Sequence, residues 1–544
     1  MKKIILFSLL FTGILGVNAQ LLQEKESYTK GDTLRGSLRR ERNFNVREYH
    51  LNVKVDPGKK YIEGHNRIVF VPQEKLHTIQ IDLFENMDVD SILYRGKPLP
   101  YRREYNAVFI DNSKGFQKNR KDSITFYYSG NPIAAKRAPW DGGFDWKTDK
   151  NGKPWIATAV QGTGASAWWP NKDHQSDEPE NGMTIKVAVP NGLMDVSNGR
   201  LTGKKDLGNG YTRWDWKVTN PINNYDVALN IGDYAHFGET YKGLDMDFYV
   251  LSYNLKKAKM HFQEVKPMMD CFQEKFGTYP FKEDSYKMVE TAHLGMEHQS
   301  AVAYGNKYMK GYLGRDLSGT GIGNRWDFII IHETGHEWFG NSITSSDIAD
   351  MWIHEGFTTY SEAVYVECRW GYEDGQAYVN GLKQNVRNDR PIIGDYGVNK
   401  EGSGDMYPKG ALMLNTIRHM INDDDKWWQL IRNYSETFKH MIVDTEMVLN
   451  FFEQETKLDL EPVFDQYLRH KDIPVLELKR EGSGTAYRWV VDADNFNMPV
   501  DASINGKTVR LHPTSEWQKL DVPPGGISVA TDRFFINVKV GKQP

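Results

Sequence analysis

Two cysteines in 544 residues exclude a disulfide framework. Cys271 and Cys368 both lie in half-apolar stretches of helical spacing, MMDCFQEKFG and VYVECRWGY. Buried free thiols are the favoured reading of the pair, and a single disulfide is the alternative. No basic run of the kind that marks nucleic-acid or membrane-surface patches is present, and the formal net charge of −4 is mild. A polyanionic partner is therefore not expected. Past the N-terminus, no segment stays apolar for the roughly 18 residues that a spanning helix requires. Internal repeats and low-complexity tracts are also missing, and 48 Gly with 22 Pro are too few for a fibrous or disordered chain.

What is present is an ordinary globular composition, 39% hydrophobic and 26% charged, in a chain long enough for about three domains. Residues 1–19 read as a signal peptide: Lys2-Lys3, an apolar stretch over 4–17, and Val17-Asn18-Ala19 ahead of a cleavage point. A membrane anchor is the alternative, but the stretch is short for one. The mature protein is expected to be periplasmic or secreted, with no membrane insertion after signal cleavage. Residues 20–40 are polar, lack periodicity and read as a linker or N-terminal arm.

From 41 to 235 the signals are those of strands. Residues 49–55 (YHLNVKV) alternate with period two and then meet the turn Asp56-Pro57-Gly58. Similar runs at 68–71, 79–83, 184–190 and 211–218 suggest a β-sandwich. Apolar residues recur with helical spacing at 255–276 and 326–339, and helical signal continues to about 470. Strand patterns return over 476–544. The expected architecture is multidomain α+β: an N-terminal β-sandwich, a mainly helical domain over 236–475, and a small C-terminal β-sandwich.

His332-Glu333-Thr334-Gly335-His336 is an HExxH motif. On a helix, positions i and i+4 share one face, so both imidazoles can reach one Zn²⁺. Glu333 then has the position of a metalloprotease general base. The motif alone also occurs by chance in amphipathic helices. Glu355, 19 residues after His336, is the candidate third ligand. A His₂Glu set leaves one coordination position open, as catalytic zinc sites do. Asp350 is a candidate partner for a zinc-bound imidazole or a helix cap.

The stretch HETGHEWFGNSITSSDIADMWIHEGFTTYSE resembles the signature of the M1 (gluzincin) aminopeptidase family. HExxH, eighteen intervening residues and Glu match, as do Trp338, Gly340-Asn341, Thr344, Asp350 and Trp352. The resemblance runs from about 45 to 475. It implies a thermolysin-like catalytic domain, one Zn²⁺ per chain, and hydrolysis of the N-terminal peptide bond of peptides. Leu294-Gly295-Met296-Glu297-His298 resembles the family's GxMEN motif, with Leu294 and His298 departing from it. By this resemblance Glu297 binds the substrate ammonium, with Gly295 and Met296 beside it and Gln161 as a second anchor. Tyr407, ahead of Lys409-Gly410-Ala411, resembles the family's Tyr that holds the oxyanion. Pro408 and Ser166 are further departures from the pattern. The expected partners are peptides with a free N-terminus. A short form is expected, without the large helical domain that many relatives carry after this point. An endopeptidase, a non-enzymatic scaffold and an epoxide hydrolase are the rival readings.

Overall fold

The computed structural model describes residues 28–541. The signal peptide expected over 1–19 and the start of the 20–40 linker lie outside the described residues. Among the described residues no helix is long and apolar enough to cross a membrane.

The alternation read at 49–55 belongs to a longer strand, Phe44–Asp56, which buries Val46, Tyr49, Leu51, Val53 and Val55 on one side. It pairs antiparallel with Tyr61–Pro72 and parallel with Met183–Pro190. These strands form the middle of an eight-stranded sheet. A three-stranded and a four-stranded sheet share its apolar core, which joins Leu51, Ile68 and Trp216 to Ile79, Val108, Phe144 and Ile231. This is the layered β domain that short alternating runs imply.

Strand Tyr234–Tyr241 begins a second sheet of five strands, which also contains Tyr286–Glu290 and the short Gly295–Met296. Helices Val265–Phe276, Phe328–Gly335, Trp352–Trp370 and Pro408–Ile421 pack around it. Their apolar faces make one cluster with the inner residues of the C-terminal strands, including Leu476, Trp489 and Phe534. The C-terminal unit consists of a four-stranded and a three-stranded sheet. It docks through Arg510, which donates to the carbonyls of His419 and Met420 at the end of helix Pro408–Ile421.

Two expectations need correction. Cys271 and Cys368 are joined by a disulfide, and no free cysteine remains. Packing of helices Val265–Phe276 and Trp352–Trp370 brings the two Cα atoms to 6.0 Å, inside the range a disulfide spans. A separation of 97 residues conceals such a contact from the sequence. Part of the stretch read as a linker is also folded. Thr29 and Asp32 form a capping box for helix Lys30–Gly36. The helix buries Leu34 and places Arg35 beside Asp173 at 3.2 Å. Two turns with one buried apolar side chain are too short to show a helical period. At Gly36 a Cβ would stand 2.5 Å from the Asn399 amide nitrogen, so helix and catalytic domain meet backbone to backbone.

Candidate metal centre

Asp327 caps helix Phe328–Gly335 by accepting from the amides of Ile329 and Ile330. The helix carries His332 and Glu333. His336 lies just past its last residue, still with right-handed helical backbone angles, so the i, i+4 relation holds. Glu355 sits in the first turn of helix Trp352–Trp370. His332, Glu333, His336 and Glu355 are all buried.

The two His Nε2 atoms are 3.3 Å apart, and Glu355 Oε2 lies 3.6 Å from His332 Nε2 and 3.4 Å from His336 Nε2. A tetrahedral ion with bonds of about 2.0–2.1 Å requires donor atoms about 3.3–3.4 Å apart. The hydrogen bonds behind the ligands make the same demand. His332 Nδ1 is 2.7 Å from Glu362 Oε1, and His336 Nδ1 is 3.0 Å from the Phe339 carbonyl. Both partners only accept, so each Nδ1 carries the proton and each Nε2 turns a lone pair inward. Glu355 Oε2 is buried without a hydrogen-bond donor. Two lone pairs and a carboxylate oxygen aimed at one point call for a cation, and the donor set suits zinc.

Glu362 is a site residue that sequence reasoning missed. It lies seven positions after Glu355 on the same helical face, and Tyr378 also donates to it at 2.6 Å. Of its two expected roles, Asp350 has the one at a helix end: its carboxylate accepts from the Tyr396 hydroxyl at 2.8 Å, from the Thr445 hydroxyl at 2.6 Å, and from the amide of Thr445, the first residue of helix Thr445–Thr456.

Gly295 and Met296 form an edge strand paired with Val302–Tyr304. At Gly295 a Cβ would stand 2.7 Å from Glu333 Oε1, so glycine there lets the carboxylate sit against the strand. Met296 packs with Ala159, Tyr225 and Ala303. Glu297 is buried, and Asn341 donates to its carbonyl at 2.7 Å. Its Oε1 accepts from Gln161 Nε2 at 2.5 Å and from Tyr225 at 3.2 Å. The two expected anchors thus come together across the junction of the β and catalytic domains, with Tyr225 as an unpredicted third member. His298 is buried beside His293, and burial pushes its ring down to about 3, which keeps it neutral.

Burial likewise pushes the Glu333 carboxyl up, to about 7. Tyr407 immediately precedes helix Pro408–Ile421 and stacks on the His332 ring, with centroids 6.2 Å apart. Although the residue is 36% exposed overall, desolvation of its hydroxyl and the charge of Glu355 hold that group well above the usual range, so it stays a donor. The expected ligands, base, oxyanion donor and amine anchors therefore occupy one cleft.

Comparisons with known proteins bear on the family and the fold. The chain is 21% identical to leucyl aminopeptidase of Saccharolobus solfataricus over 65% of its own length and 47% of that enzyme's. It is 22% identical to glutamyl aminopeptidase of Bos taurus over 58% of its length, covering 34% of the relative. The chain thus spans less than two thirds of the curated relatives it matches. Its fold is similar to a crystal structure of the M1 zinc metallopeptidase from Deinococcus radiodurans, with a TM-score of 0.67 at 20% identity. That likeness covers 79% of this chain and 95% of the other. The family model of the peptidase M1 N-terminal domain matches residues 45–225, and that of the peptidase family M1 domain matches 260–467. These matches take in both halves of the cleft, and the chain belongs to peptidase family M1.

Proposed function

We propose that this protein is a zinc aminopeptidase that hydrolyses the first peptide bond of peptides with a free N-terminus. The observation that carries the proposal is Glu297. It is a buried carboxylate beside the metal-ligand group, with Gln161 and Tyr225 donating to one of its oxygens. The Gln161 amide nitrogen is spent on Glu297, so its carbonyl oxygen is left to accept. Carboxylate and carbonyl together suit an ammonium group. An internal stretch of polypeptide brings no positive charge to balance the buried carboxylate, which disfavours an endopeptidase.

When bound by His332, His336 and Glu355, zinc supplies Lewis acidity for the scissile carbonyl and lowers the pKa of water. Glu333 takes the proton from the attacking water and returns it to the leaving amine. The Tyr407 hydroxyl donates to the carbonyl oxygen as negative charge develops there. Glu297 and Gln161 hold the ammonium, so that only the first peptide bond reaches the reacting groups. Export to an oxidising compartment is part of the proposal. The disulfide of Cys271 and Cys368 suits such a compartment.

The test uses a peptide in two forms, with its N-terminus free and N-acetylated, assayed with and without a chelator. Cleavage of the free form alone, lost on chelation, is expected. Equal cleavage of the acetylated form would indicate an endopeptidase instead.

A further inference from the structure

Gln161 lies in a turn over residues 160–164, closed by the Gly164 amide donating to the Val160 carbonyl at 2.6 Å. Gly162 and Gly164 belong to this turn, and Gly164 holds a φ of +106°. One closing hydrogen bond and a pair of glycines do not make a rigid mount. A binding group has to be held to within about 0.5 Å of its working position, so the turn needs support from outside.

That support comes from helix Lys30–Gly36. Arg35 Nη1 donates to the Thr163 carbonyl at 2.6 Å and to the Gly162 carbonyl at 3.3 Å. These are the first two carbonyls after Gln161. A Cβ at Gly164 would stand 2.3 Å from Arg35 Nη2, so the guanidinium packs directly on the backbone of the turn. Arg35 Nε lies 3.2 Å from Asp173 Oδ2, and that oxygen also accepts from the Ser166 amide at 3.2 Å and from the Ser166 hydroxyl. On the other side, Thr163 Oγ1 donates to the Asp141 carbonyl at 3.0 Å. The turn is thus gripped from both sides.

Arg35 is itself fixed. The last three carbonyls of its helix have no partners within the helix. Gln80 Nε2 donates to that of Leu34 at 2.9 Å, Arg42 Nη1 donates to that of Arg35, and His174 Nε2 lies 3.2 Å from that of Gly36. The Tyr28 hydroxyl donates to Asp395 of the catalytic domain at 2.6 Å. The N-terminal segment therefore bridges the two domains beside the Gln161 turn. A guanidinium held at both its backbone and its planar fork has little freedom to shift.

We propose that Arg35 is a positioning residue for the amine site, fixing the turn that presents Gln161 to the substrate ammonium. The proposal rests on the aminopeptidase reading above. It is tested by calorimetry on the zinc-loaded full chain with two ligands, leucine hydroxamate and 4-methylpentanehydroxamic acid, which differ only in the α-amine. The wild-type protein should bind the amine-bearing ligand more tightly. In Arg35→Met the ratio of the two Kd values should fall about tenfold, the order expected for a hydrogen bond to a charged group. The Kd of the amine-free ligand and the zinc content should not change. Arg35→Lys, which keeps the charge and one donor group, should show a smaller fall, and it carries the test if Arg35→Met does not fold. In a Gln161→Ala background, Arg35→Met should cost no further selectivity, because its effect runs through Gln161. An unchanged ratio in either single variant, equal weakening of both ligands, or an additive loss in the double variant would overturn the inference and leave the aminopeptidase reading intact. A wild-type protein indifferent to the α-amine would overturn both.

Discussion

Glu333 and Glu355 are both buried carboxylates in one site, and what faces each separates their roles. Glu355 Oε2 looks at two imidazole lone pairs, so it completes a ligand set. Glu333 looks at the space left by Gly295 and groups with one imidazole, His336, and with Glu297, not with both imidazoles. Glu333→Gln keeps shape and volume and removes only the ability to take a proton. It should retain one zinc per chain and lose turnover by roughly 10²–10⁴-fold or more. His332→Ala should instead lose the metal. Elemental analysis beside a rate measurement distinguishes the two, and a Glu333→Gln variant with wild-type rates would remove Glu333 from the proton path. The pairing of His332 with His336 was legible because i, i+4 spacing on a helix is a local geometric fact, whereas Glu355, on another helix, became specific only through the family resemblance. Glu362 and Tyr225 were not legible, because a Glu seven positions on and a lone Tyr in a β domain carry no signal until folding aims them inward.

At the scale of elements, alternation revealed the strand Phe44–Asp56, since one face of a half-buried sheet must repeat every second residue. Helical spacing located the helices that carry His332 and Glu355 for the equivalent reason. The pairing of Cys271 with Cys368 and the short helix Lys30–Gly36 escaped, because neither leaves a periodic trace. The disulfide ties the helix that carries Glu355 to helix Val265–Phe276, closing a loop of 97 residues. Cross-links of this kind stabilise by about 2–5 kcal/mol, chiefly by limiting the unfolded chain. Cys271→Ser with Cys368→Ser should therefore lower Tm by several degrees, with zinc still bound below the transition. Reductant should lower the wild-type Tm and leave that of the double variant unchanged. Equal Tm values for the two oxidised proteins would show that the cross-link does not hold this helix pair.

For the whole molecule, the proposed amine site belongs to neither domain alone. Gln161 and Tyr225 come from the β domain, and Glu297 from the catalytic domain. Asn198 clamps the two together. Its side-chain nitrogen donates to the Asp226 carbonyl at 2.9 Å and the Gln299 carbonyl at 2.7 Å, and its oxygen accepts from the Ala228 amide at 2.8 Å. Asp226 follows Tyr225, and Gln299 lies two residues after Glu297. Fully buried, Asn198 thus sets the spacing of the amine anchors without touching substrate. Asn198→Ala leaves these groups unpaired at a cost of about 1–3 kcal/mol each. The proposed zinc ligands all lie in the catalytic domain and do not feel this junction directly. The variant should therefore keep its metal and raise KM for free-amine peptides by more than it lowers kcat. Steady-state kinetics with metal analysis on the same preparation would check this. Loss of zinc in step with activity would mean that the junction supports the metal site itself. An unchanged KM would mean that Glu297 is positioned by its own strand alone.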